Sequence, residues 1–555
     1  MTTRINRIDV ESGILTREFH KLVAQILNLP YRRLAACAGS TSPNRPLRST
    51  PGRLQVGDTA DCKFALRGLG ATIAQIAREI SWLKAGRNMG GRFPACGFGQ
   101  RLADRAPGQV RPADDQKRCL PHVIGLALGF ALVAASQSAE SDFRPLFSGR
   151  DLAGWANVNC APNTFTVREG MIVSTGIPTG VLRTDRQYEN FELELEWRHM
   201  QQGGNAGLFV WSAPTTAPGV PFTKSIEVQI LDGRNSDTYT SHGDVFAIHG
   251  ASFKPDRPHP QGWMRCLPSE QRANPAGEWN HYRVVCNNGD IKLAVNGKIV
   301  SGGFDTKPRK GYICLEAEGS ECHFRNIRIR ELPSSNPSPE EVAPLDAGFK
   351  SLYTGIDLAG WRQEPGHTGH WQPKDWILDY DGKSAAPDPN LWSQKEYGDF
   401  VLICDWRFRD KGAKTNRPVI LPNGDQARDE QGNPKAIEVL DAGDSGIYLR
   451  GNSKSQVNIW CWPIGSAEVY GYRTDSNMPP DVRSAVTPKM KADKPIGQWN
   501  RFEITMKGDR LTVVLNEKTV IENARLPGVP KRGPIALQHH GDPVQFANLY
   551  IKELN

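Results

Sequence analysis

Between residues 191 and 198 apolar and charged side chains alternate without a break: Phe191, Leu193, Leu195 and Trp197 against Glu192, Glu194, Glu196 and Arg198. A period of two places one set on each face of a β-strand, so the stretch predicts a strand with one face buried and the other in water. Further short strands are predicted at 208–211, 225–231, 282–286, 291–295 and 322–329. Between them lie Asn287-Asn288-Gly289-Asp290 and Asn296-Gly297, residues that tolerate positive φ and close tight hairpins. No amphipathic helix pattern stands out after residue 140, and the reading is antiparallel sheet with long loops.

The pattern then repeats. Phe147-Ser-Gly-Arg-Asp-Leu-Ala-Gly-Trp155 returns as Tyr353-Thr-Gly-Ile-Asp-Leu-Ala-Gly-Trp361, and FELELEWR (191–198) returns as FVLICDWR (400–407), with Phe400, Leu402, Cys404 and Trp406 on the apolar face. NAGLFVW (205–211) matches DSGIYLR (444–450), residues 277–300 match 497–520, and the close FRNIRIREL at Leu332 matches FANLYIKEL at Leu554. A repeat of roughly 200 residues is a duplicated domain, because each copy is large enough for its own core. The expected boundaries are 143–332 and 349–555, two all-β sandwiches in tandem. Between them runs a linker, 333–348, whose polar, proline-rich stretch from Pro333 to Pro344 reads as extended and unpacked.

The formal charge of +8 changes this picture little once it is located. Residues 1–139 hold 20 Lys and Arg against 9 Asp and Glu, a surplus of +11, which leaves −3 for the repeats. The repeats have no basic stripe of the kind that binds nucleic acid. Residues 1–115 form an irregular, Arg-rich extension. Lys117-Arg118, the apolar run Val123 to Ala135 and the small residues up to Ala139 have the layout of a secretory signal peptide over 116–139. The run is too short to span a bilayer, which takes about 20 apolar residues. A signal so far from the first residue suggests a later start, near Met89 or Val110, and a periplasmic or secreted product with no membrane span after cleavage. Cys160, Cys266, Cys286, Cys314, Cys322, Cys404 and Cys461 are odd in number and have no CxxC spacing, so they read as small core residues rather than a zinc site.

The chain resembles the 3-keto-disaccharide hydrolase family, which also includes 3-keto-glucoside 1,2-lyases and 3-keto-2-hydroxyglucal hydratases. The motifs that carry the resemblance are LFSGRDLAGW, IEVQILD (226–232), GEWN (277–280) and LQHHGDPVQFANLYIKEL (537–554), and it covers 145–332 and 349–554. It implies two concanavalin A-like jelly rolls and an oxidised (3-keto) glycoside or disaccharide as substrate. A ketone at C3 acidifies the C2 proton; a base removes it, the C1 substituent leaves, and water adds to the enone. Such a site needs a base, a donor for the enolate oxygen and an acid for the leaving group. No cofactor is predicted; a divalent metal is compatible with this chemistry but has no support in the sequence. The same sandwich also serves as a lectin, so a non-catalytic carbohydrate-binding protein is the alternative.

Several residues could supply these parts. Glu227 and Gln229 share a strand face and Asp232 opens the next loop, while the second copy has Gln456 and Cys461 at the places of the two acids. Glu227 and Asp232 are therefore read as proton-transfer groups of the first copy, or else as loop-ordering acids. His242 is a further catalytic candidate, or a bystander. His540 stands where the first copy has Glu318, which suggests divergent sites, the alternative being a turn histidine bonded to backbone. Glu196 and Arg198 recur as Asp405 and Arg407, either lining a sugar site or forming cross-strand ion pairs. Asn205 and Asp444 head matched strands and complete the expected substrate-binding set. Trp155, Trp279, Trp361 and Trp499 recur and read as core. Trp211, Trp460 and Trp462 do not recur and are open to sugar stacking or burial.

Overall fold

Phe191–His199 is one continuous strand, and its alternation decides how the first repeat packs: Phe191, Leu193, Leu195 and Trp197 are buried to 1% exposure or less. A computed structural model of the protein describes residues 142–232 and 242–555; the extension and the signal segment lie outside them. The strand pairs with Asn280–Asn287 on one side and Cys322–Glu331 on the other, in the middle of a nine-stranded antiparallel sheet. Asn288 (φ 51) and Gly289 (φ 80) close the predicted hairpin, both with positive φ as a two-residue turn of this hand requires.

Facing it is a seven-stranded sheet in the order Arg265–Cys266, Val245–Ile248, Ser225–Gln229, Gly207–Ser212, Tyr312–Ala317, Gly180–Thr184, Trp155–Val158. Leu208, Val210, Ile226, Val228, Ile313 and Leu315 point inward to meet Leu193, Leu195 and Trp197 in one core. Their sequence neighbours point the other way and make the outward face of this sheet.

The second repeat rebuilds the arrangement. Phe400–Phe408 lies within an eight-stranded sheet, opposite a four-stranded sheet ordered Leu391–Tyr397, Gly533–Leu537, Asp444–Leu449, Asn452–Trp460. It adds features without a counterpart in the repeat: a ribbon of Ala413–Pro418 and Ala436–Asp441, and two short helices, Tyr470–Arg473 and Pro480–Ala485, which the helix-free reading missed. The protein is thus all-β, two jelly-roll sandwiches in tandem. The seven described cysteines are all free and buried, as core residues.

The linker reading needs correction. Ser334 and Ser335 bond Glu189, Glu341 pairs with Arg309, and Asp346 pairs with Arg183 at 2.6 Å, so the segment is stitched onto the first sandwich. The sandwiches also share an apolar cluster in which Val158, Val181, Phe209, Tyr312 and Cys314 of the first meet Ile403 and Tyr550 of the second. Polar contacts seal its rim. The Gly219 N–H donates to Asp405 (2.8 Å), Arg501 to Thr216 O (3.0 Å) and Asn548 to Val220 O (3.0 Å). Gly219 (φ 73) lies so close to Trp499 that a side chain would collide with the ring.

Candidate functional site on the outward sheet faces

Antiparallel partners share a face, so the printed register tells which side chains meet. On the seven-stranded sheet Glu227 pairs with Phe209, and Gln229 with Gly207. On the other side of that strand Cys314 pairs with Phe209, and continuing the register sets Glu316 beside Gly207. A side chain at Gly207 would come within 2.6 Å of Glu316 Oε2 and 3.0 Å of Glu227 Oε1; its absence lets the two carboxyls converge. Glu318, two residues further along, accepts from Asn205 Nδ2, and Asn205 Oδ1 accepts from Gln229 Nε2 at 3.2 Å.

Three glutamates within this space cannot all ionise freely. Burial pushes the Glu227 carboxyl well above the ordinary range, with Glu318 and Asp244 adding to the effect and Arg265 opposing it. Burial does the same to Glu316, helped by Glu227 and Glu318. Glu318 is raised by burial and by Asp375 of the second sandwich, against its hydrogen bonds from Asn205 and Glu316. The cluster therefore keeps protons at a pH where an exposed glutamate has lost them, the condition for acid and base work on one face. Its next residues along the strands, Phe209 and Cys314, already lie in the apolar seal. Asp375 reaches over the rim to accept from Thr179 N (2.5 Å) and Oγ1 (2.7 Å). The first site thus sits at the seam between the sandwiches.

The second sandwich repeats the grid with different chemistry. Gly446 pairs with Asn458 and Tyr448 with Gln456, so Gln456 takes the place of Glu227. Ala536 pairs with Tyr448, so Gln538 takes the place of Glu316, and the two amides bond at 2.5 Å. His540 replaces Glu318 and Asp444 replaces Asn205, 4.0 Å apart, with Asp542 3.7 Å from His540. The Asp444 carboxyl is pushed up to about 6, by burial first, with Asp542 and Asp441 adding and His540 opposing.

Of the expected site residues, Glu227, Gln229 and Asn205 come together, and so do Asp444 and His540 in the other copy. The remainder do not. Asp232 accepts from Gly203 N at 3.1 Å. His242 is 2% exposed and stacked on Trp197 with centroids 4.7 Å apart, inside the sandwich rather than on its surface. Glu196, Arg198, Asp405 and Arg407 belong to the other sheet of each sandwich. Glu196 pairs there with Arg325 at 2.7 Å, as Glu194 does with Arg328. Arg198 lines a polar recess of about 390 Å³ with Glu169, Trp279, Arg325 and Asn326. The same position in the second sandwich is where Asp405, Trp499 and Asn548 grip the loop around Gly219. Arg325, at 3.8 Å over Trp279, partly fills the recess where the second copy has Ala547. Trp279 and Trp499 are thus part-exposed rather than core, whereas Trp155, Trp361, Trp211 and Trp460 are buried.

Glu316 was missed, and Glu318 was noted only as the counterpart of His540. The available signal was the run Cys314, Glu316, Glu318, in which two acids alternate on one face of an otherwise apolar strand.

Fold and faces together define a class: tandem antiparallel sandwiches, each with a titratable polar cluster on the outward face of one sheet. The profile of the 3-keto-alpha-glucoside-1,2-lyase-like domain matches residues 142–330 and again 348–552, and the chain belongs to that family twice over. It is similar to a 3-keto-disaccharide hydrolase of Bacteroides thetaiotaomicron, with 21% identity over a 295-residue alignment, covering 43% of this chain and 97% of that protein. Among solved structures it is similar to a proposed glycosyl hydrolase from Parabacteroides distasonis, with 22% identity, 36% of this chain, 97% of that one and a TM-score of 0.28. A carbohydrate-binding module, CBM66 from Bacillus subtilis, gives 11%, 33%, 99% and 0.24.

Proposed function

We propose that the protein is an exported enzyme that cleaves 3-keto-glycosides, with proton abstraction on the first sandwich. The observation that carries this reading is the convergence of Glu227 and Glu316 over Gly207, two buried carboxyls held above their ordinary pKa range. In the proposed reaction Glu227, as carboxylate, takes the proton from C2. The C2–H electron pair passes into the enolate, whose oxygen is met by the Asn205 and Gln229 amides. The enolate then reforms the C3 ketone and expels the C1 substituent, which takes a proton from the Glu316–Glu318 pair; C1 and C2 are left doubly bonded. Water added across that bond completes a net hydrolysis. A base and a protonated acid side by side are what burial, with repulsion among neighbouring carboxyls, provides.

The test is to incubate the full chain with 3-keto-trehalose and with a chromogenic 3-keto-glucoside. The reading expects release of glucose and of the chromophore. Substrate that is bound but left intact would instead make the protein a carbohydrate-binding one. Export is checked by amino-terminal sequencing of the native protein: a mature start shortly after Ala139 is expected, and one upstream of residue 115 would overturn it.

A further inference from the structure

In the first sandwich, the row that crosses the sheet through Arg183, Cys314, Phe209 and Glu227 runs under the second sandwich. The matching row of the second sandwich is Trp392, Ala536, Tyr448 and Gln456. Trp392, Tyr448 and Gln456 are each part-exposed. The two rings lean together over the small Ala536, with centroids 5.7 Å apart at 43°, and form one aromatic surface. That surface is held rigid, because Trp392 Nε1 donates to Asp388 at 2.7 Å. Beside it, in the next row, Gln538 accepts from Gln456, and Asn458, 3% exposed, has a buried Oδ1 without a hydrogen-bond partner. Rigid aromatic area next to neutral amides and an unused acceptor suits a molecule with an apolar face and an equatorial rim of hydroxyls.

We propose that this face binds a neutral, unoxidised pyranoside unit, so that the chain grips an ordinary sugar with its second sandwich while the first acts on the 3-keto unit. The ring C–H groups would lie on Trp392 and Tyr448, and the hydroxyls would meet Gln456, Gln538 and Asn458. The division of labour rests on the proposed function; the binding site itself does not.

The experiment is titration of the full chain with methyl β-glucoside, trehalose and cellobiose, followed by tryptophan fluorescence and calorimetry. Saturable binding of at least one is expected, with Trp392→Ala and Tyr448→Ala each weakening it about tenfold or more. Glu227→Gln is expected to bind the same sugar as the parent does. Thermal melts show whether each variant is folded, and Tyr448→Ala serves if Trp392→Ala is not. Absence of saturable binding to all three sugars, or binding indifferent to both aromatic changes, overturns the proposal. A protein that binds the neutral sugar but leaves 3-keto-glucosides intact would instead sink the reading of the first sandwich and leave this one standing.

Discussion

At the strand positions where the first sandwich has Glu227 and Glu316, the second has Gln456 and Gln538. The exchange preserves shape and removes charge. In the first copy it leaves two carboxyls competing for protons over Gly207; in the second it leaves a neutral amide pair bonded at 2.5 Å over Gly446. A second exchange works on the opposite sheets. Glu194 and Arg328 of the first copy form an ion pair in which only the arginine is exposed, and Ile403 and Tyr550 at the same places in the second form the seal against the first sandwich. Duplication has thus produced one copy with its titratable face at a seam and another whose matching face lies away from that seam. The scaffold was conserved in its inward residues, and the outward ones were free to diverge.

The sharpest way to break the comparison is to give the first site the residue of the second. Glu316→Gln should cost about 10² to 10⁴ in turnover of a 3-keto-glucoside, the usual worth of a placed acid or base. The same change should stabilise the fold at neutral pH. A carboxyl whose folded pKa is raised holds its proton while the unfolded chain has released it, so it costs stability as pH rises, and glutamine does not titrate. Denaturant melts of parent and variant at acid and neutral pH check this; a variant less stable at neutral pH would contradict it.

Next in size is the seam. Asp405 is fully buried and bonds Arg501 (2.6 Å), Asn548 (2.6 Å) and Gly219 N (2.8 Å). Asp405→Ala leaves Arg501 without its buried partner and should destabilise the protein by about 3 to 5 kcal/mol. It should also make the chain cleavable near the linker by limited proteolysis. Glu196, the residue at the same position of the first copy, faces solvent, and Glu196→Ala should cost about 1 kcal/mol or less. Equal losses from the two changes would mean that the sheets do not differ as described.

Asp444 offers a smaller, pH-resolved contrast. With its folded pKa near 6 and an unfolded one near 4, stability should fall as pH rises from about 4 to 6, because the folded state keeps a proton that the unfolded chain has released. Asp444→Asn should remove that loss, worth about 1 to 3 kcal/mol at pH 7. The difference between parent and variant should vanish near pH 4; a constant difference across that range would assign it to packing instead.

Much of this was legible in the chain. The period-two alternation at 191–198 gave the strand and its buried side, because a side chain's face follows from parity alone. The repeats set Glu227 against Gln456 in the sequence itself. Parity does not say which of two outward faces meets a ligand, so Glu196, Arg198, Asp405 and Arg407 read equally as a sugar site or as cross-strand ion pairs; Glu196 and Asp405 form ion pairs, on the other sheet of each sandwich. Asp405 could not be read as buried, since what covers it is a loop nearly 190 residues away. Glu316 was hidden because it sits in the apolar run 312–317 and its partner on the face is a glycine. His242 looked like surface chemistry because its loop is polar, while the ring itself turns inward onto Trp197.

The central claim is that the base lies on the first sandwich, at Glu227. It is tested most directly by following deuterium entry at C2 of a 3-keto-glucoside in heavy water by NMR, with the parent chain, Glu227→Gln and His540→Asn side by side. The account predicts that the parent exchanges C2 hydrogen and releases the aglycone, that Glu227→Gln loses both by about 10² or more, and that His540→Asn keeps C2 exchange. C2 exchange that survives Glu227→Gln and disappears in His540→Asn would place the base on the second sandwich and contradict it.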